Sequence, residues 1–111
     1  MERSTSERSE IVRARVTRAR ERQANRFSGL SHLSANADMG PADVSAFCAV
    51  EPSVEPLLKL ATERLQLSAR SFHRVLKLAR TIADLAESET IGSAHVAEAL
   101  QYRPRLHLGV E

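Results

Sequence analysis

The sequence predicts an all-α protein, a single small domain built as a bundle of four to five helices. Two observations carry this. Glycine and proline number only four each, while Ala, Arg, Glu and Leu are abundant, a composition that favours helices. Apolar residues also recur at three- and four-residue spacing in several stretches, most regularly over "LQLSARSFHRVLKLARTIADL", residues 65–85. At 111 residues the chain can bury one modest core but not two. With no Trp, one Tyr and three Phe, that core has to come from aliphatic stripes.

The first helix is predicted over 6–26, with Ser6 as N-cap and Glu7 and Glu10 in the opening turns. Val12, Val16, Ala19 and Phe27 form a narrow apolar seam, with Ile11 beside it. A seam this thin binds one neighbour, so the helix should lie outside the domain or project from it. Residues 28–40 mix Ser, Gly, Asn and Asp with isolated Leu and Met and read as a mobile loop. Pro41 suits the first position of a short helix ending near Ala49. A third helix, over 53–66, turns Val54, Leu57, Leu58, Ala61 and Leu65 to one face. Only Leu67 and Ser68 separate it from the central helix, 68–87, which Ser68 caps. Phe72, Val75, Leu76, Ala79, Ile82, Ala83 and Ala86 mark that helix's core side. After "ESETIGS", Ser93 caps a last helix from Ala94 to Tyr102, with Val96, Ala97 and Leu100 inward and Pro104 as its stop.

Charge is uneven beneath a net +2. Residues 1–26 hold eight arginines against four glutamates, whereas residues 27–69 hold five acids against one Arg and one Lys. Arg13, Arg15, Arg18 and Arg22 could track phosphates of a nucleic acid. They are interleaved with glutamates and no aromatic residue, which equally describes a solvated helix face. Cys48 stands alone, so no internal disulfide or thiolate metal site can form, which fits a reducing cytosol. Its place on an apolar helix marks a buried structural thiol. His32, His73, His95 and His107 have no ligand spacing, so no metal is expected. No apolar run reaches membrane-spanning length and no signal-peptide core is present, so the expected setting is cytoplasmic, away from membranes. Arg80 and Asp84 read as an ordinary i, i+4 pair, contributing a few tenths of a kcal/mol.

The central helix breaks one rule. Its first turn carries Arg70 and no acid, although a helix N-terminus disfavours a cation. Arg74 lies one turn on along the same face and Lys77 follows it. The face is either solvated or a site for an anion, which the guanidinium and the free N–H groups of a helix start would both favour.

The stretches "IVRARVTRARERQANRF", "FCAVEP" and "ERLQLSARSFHRVLKLARTIADLAESETIGSAHVAEALQYRP" resemble the C-terminal domain of magnesium-chelatase-like AAA+ ATPases of the ComM/YifB type, over residues 6–105. The resemblance implies a helical lid that follows a nucleotide-binding core and closes over ATP bound with Mg. It places the sensor 2 arginine, which approaches the terminal phosphate, at Arg70, with Arg74 a secondary candidate. It further implies an upstream AAA+ core, neighbouring subunits of a hexameric ring, and a parent that processes DNA by branch migration in natural transformation. The chain has no G-x-x-x-x-G-K-[ST] loop and no acidic Mg-binding strand, so it is not expected to hydrolyse ATP alone. The competing expectations are a stand-alone nucleic-acid-binding domain using the basic first helix, and a structural module docking against ring neighbours.

Overall fold

A computed structural model describes the backbone of residues 2–108 and the side chains of residues 8–102. Five α-helices follow in order: α1 Glu2–Arg26, α2 Pro41–Phe47, α3 Glu55–Leu65, α4 Ala69–Leu85 and α5 Ser93–Leu108. Single 3-10 turns at Asn36–Asp38 and Pro52–Val54 lead into α2 and α3. The described residues contain no strand beyond an isolated bridge between Val50 and Ile91, where the Glu51 N–H donates to the Ile91 carbonyl at 3.1 Å. The all-α class is as the sequence predicts.

Helix α4 is the centre, packed on α5, on α1 and on the 3-10 turn at Asn36. Its start is fixed by Ser68, whose Oγ accepts the Ser71 N–H at 3.1 Å. Val75, Leu76, Ala79 and Ala83 are buried, while Phe72 and Ile82 are half-buried against the core. Ala86 is exposed because the helix ends at Leu85 and Ala86 serves as its C-cap. The core is completed by Phe27, Leu33, Met39, Val44, Cys48, Val54 and Leu58 on one side and Ile91, Val96 and Ala99 on the other. Phe27 and Phe47 meet edge to face, ring centroids 5.3 Å apart, which locks the end of α1 to α2.

Other expectations are corrected. Only the lower half of the α1 seam is used: Ala19 and Phe27 are buried and Val16 is half-buried, but Val12 is 54 % and Ile11 61 % exposed. The helix runs past the bundle before reaching them. The predicted loop 28–40 is a built segment that buries Leu33, Asn36 and Met39. Asp38 holds it, accepting the Ser34 N–H and hydroxyl and the Ala35 N–H at 2.9–3.1 Å. On α5, Ala97 is exposed and Ala99 is buried, since Val96, Ala99 and Leu100 share a face and Ala97 lies about 100° round from Val96. The cap of α5 is Gly92, whose carbonyl accepts the Val96 N–H. His95 Nδ1 in turn accepts the Gly92 N–H at 2.9 Å, and Ser93 is the first helical residue. The helix continues through Pro104 to Leu108, forgoing the hydrogen bond that proline cannot donate. Leu65 is the last residue of α3 and is 38 % exposed there.

Candidate functional site at the start of helix α4

Three residues separate α3 from α4, and the first of them, Gln66, adopts a left-handed conformation with φ 51° and ψ 49°. The reversal brings the start of α4 to the surface beside the 28–40 segment. Ala69, Arg70, His73, Arg74 and Lys77 there line a depression of about 450 Å³, closed on the far side by Met39 and Pro41. Arg70 is exposed and Arg74 half-buried, and neither is in a side-chain hydrogen bond or ion pair among the described residues. Lys77 is engaged: its Nζ donates to the carbonyls of Met39 at 3.2 Å and Ala37 at 3.4 Å. Of the N–H groups that a helix start leaves without an intrahelical acceptor, Ser68 satisfies that of Ser71. The depression therefore presents two guanidinium groups, backbone donors and a positive helix end to an incoming anion. No acid lines it.

The arginines of α1 are placed differently. Arg13 is exposed. Arg15 donates to the Leu85 carbonyl from Nε and Nη2 at 3.4 Å, Arg22 donates to the Glu87 carbonyl at 3.2 Å, and Arg18 pairs with the Glu87 carboxylate at 2.9 Å. Three of the four candidates for phosphate contact thus lie at the C-terminal end of α4, where cations and donors complement the free carbonyls.

Next to them is a buried polar cluster. Arg26 forks onto both oxygens of Asp84 at 2.9 and 2.6 Å, and its Nη1 also donates to Asn36 Oδ1 at 2.9 Å. Asn36 Nδ2 donates to Asp84 at 2.9 Å and to the Thr81 hydroxyl at 3.1 Å. Arg80 pairs with Asp84 at 3.3 Å and donates to the carbonyls of Ser88 and Glu89 at 2.8 and 3.0 Å. Arg80 and Asp84 are 4 % and 0 % exposed, so they are no ordinary surface pair. Burial draws the Arg80 guanidinium below its usual range, and the Asp84 charge opposes this. The Cys48 thiol is buried too, and desolvation pushes it up to about 11.

The histidines do not converge. His32 lies 3.4 Å from Asp43, His95 caps α5, and His73 meets the Phe72 ring edge; the His107 side chain lies outside the described residues. Among the described residues no helix is long and apolar enough to cross a membrane.

Residues 6–103 match the family described as "Magnesium chelatase, subunit ChlI C-terminal". The chain is 36% identical over 102 residues to Competence protein ComM of Haemophilus influenzae, covering 92% of this chain and 19% of that protein. It is 39% identical over 97 residues to the uncharacterized protein YifB of Escherichia coli K12, covering 87% and 18%. The YifB of Salmonella typhimurium is 35% identical over 100 residues, covering 90% and 19%. The chain thus spans about a fifth of the length of these relatives. With a family match over most of its length and an all-α bundle to go with it, the chain belongs to the magnesium-chelatase C-terminal domain family shared with ComM and YifB.

Proposed function

We propose that this domain is the helical lid and sensor module of a magnesium-chelatase-like AAA+ ATPase of the ComM/YifB type, whose Arg70 reaches the terminal phosphate of ATP bound with Mg by a separate core domain. The observation that carries the reading is the exposed guanidinium, without a partner among the described residues, at the start of the central helix. Held there, Arg70 has an orientation set by Ser68 and the core side of α4. Its planar fork can donate two parallel bonds to a phosphate group. Arg74 adds positive potential from the next turn. Lys77 keeps the 28–40 segment against the depression and so helps to shape it. ATP supplies a transferable phosphoryl group, while this chain supplies charge, direction and an anchored lever. Lacking a phosphate-binding loop, it turns over no ATP by itself. The parent then works on DNA as a ring whose neighbouring subunits meet these domains.

The test pairs two measurements. In the full-length ATPase, Arg70→Ala should depress turnover strongly, with about 10³-fold as the upper range set by arginine fingers. Arg70→Lys should restore only part of it, because an ammonium keeps the charge and loses the fork. Thermal melts of the isolated chain should barely change. Wild-type turnover in the Arg70→Ala enzyme would remove the sensor role.

A further inference from the structure

Two apolar surfaces have no partner among the described residues, and their rims carry opposite charge. The first is the projecting part of α1. Val12 and Val16 lie on one face between Arg8, Arg13 and Arg20, and Val12 is 54 % exposed. The second is a groove of about 490 Å³ between residues 48–50, α3 and the first half of α4. Its floor is Val50, Leu58, Phe72 and Leu76, and Glu55 and Glu63 stand on its rim with a single Lys59. The α1 face includes no residue of α2–α5, and the groove includes none of α1.

One molecule cannot join the two. Arg15 already sits at the Leu85 carbonyl, at the far end of α4 from Phe72, and residues 8–13 lie beyond it on a continuous helix. The contact has to run from one copy to the next.

We infer that the projecting end of α1 docks into the groove between residues 48–50, α3 and α4 of a second copy of this chain, head to tail. An apolar helix face laid in a groove is a common recognition mode, with apolar anchors at i and i+4, here Val12 and Val16. The three arginines facing two glutamates set orientation and favour encounter. Because the two surfaces differ, a dimer keeps one free α1 end and one free groove. Such a contact propagates from copy to copy, closing into a ring where the rotation allows. The inference is independent of Arg70, which lies on neither surface.

Sedimentation of the full chain over a concentration series tests it. The wild-type chain should self-associate, more weakly as salt rises. Val12→Asp disables the α1 end and Ala49→Arg fills the groove; both positions are exposed, so melts should show the fold intact. Each variant alone should weaken association by about tenfold or more. Mixed, they should form a dimer and nothing larger, because one copy keeps a working groove and the other a working α1 end. Glu63→Arg should weaken association, and Arg13→Glu combined with it should recover part of the loss. The proposal is overturned by a wild-type chain that stays monomeric to millimolar order, by association indifferent to Val12→Asp, or by a mixture that yields no dimer.

Discussion

The Asp84 carboxylate is fully buried and takes two bonds from Arg26 and one from Asn36, with Arg80 beside it. Removing one partner of a buried charge pair leaves the other stranded. Asp84→Ala should therefore cost about 3–5 kcal/mol in denaturant melts, although the side chain is far from any candidate ligand. Arg70→Ala, at an exposed position with no partner among the described residues, should stay within about 0.5 kcal/mol of wild type. Leu76→Ala, a core truncation, should by contrast lose about 2–5 kcal/mol. Cys48, with its thiol pushed up to about 11, holds almost no thiolate at pH 8. A thiol reagent should label it far more slowly in the native chain than in denaturant, at a rate set by opening of the fold. Arg70 could be singled out from sequence because it breaks a local rule. The Arg80–Asp84 cluster could not, since i, i+4 spacing is the same on a surface and in a core. What buries the pair is Arg26 and Asn36, 58 and 48 residues before Asp84.

Helix α4 was legible as an element because its apolar period is long and its capping serine stands alone at the start. Helix α1 was legible at its C-terminal end and only half in its packing. It begins at Glu2, so Ser6 lies inside it and is not its cap. The seam at Val12 is continuous with Val16 and Ala19, and nothing local tells where the neighbouring helix ends. The 28–40 segment looked like a loop because its order depends on Asp38 gathering three donors and on Asn36 reaching Asp84. The donors at Ser34 and Ala35 hold the Asp38 carboxyl below the ordinary range, and the Gly40 N–H does the same for Asp43. For a carboxylate depressed in the folded state, the added stability is present above the unfolded value near 3.8 and is lost as pH falls through the lower folded values. An acid titration followed by exchange of the 28–40 amides should show this loosening, and Asp38→Asn should weaken its pH dependence. At the α3–α4 joint, Gln66 holds a left-handed conformation that a side chain disfavours. Gln66→Gly relieves that penalty and gains freedom when unfolded, so a net stabilisation of up to about 1 kcal/mol is expected in melts.

At the scale of the whole molecule, the Cα radius of gyration is 15.3 Å, against about 13 Å for a compact domain of this length. Helix α1 leaves the bundle beyond Arg15, where Ile11 and Val12 are exposed. The arginines there are few and partly answered by glutamates, and three further back are engaged at the end of α4. Binding to duplex DNA, read by fluorescence anisotropy, should therefore be weak and sequence-independent and should fall steeply with salt. Submicromolar affinity near physiological salt would make the basic helix the functional surface after all. The Asp84 cluster clamps the base of α1 to the helix whose first turn carries Arg70, so a tilt of α4 should carry α1 with it. With 25 residues at 1.5 Å each, α1 is an arm of about 37 Å, and a rotation of about 10° at the cluster sweeps its tip through roughly 6 Å. A displacement too small to disturb the core would thus be felt as a full helical turn at the far end.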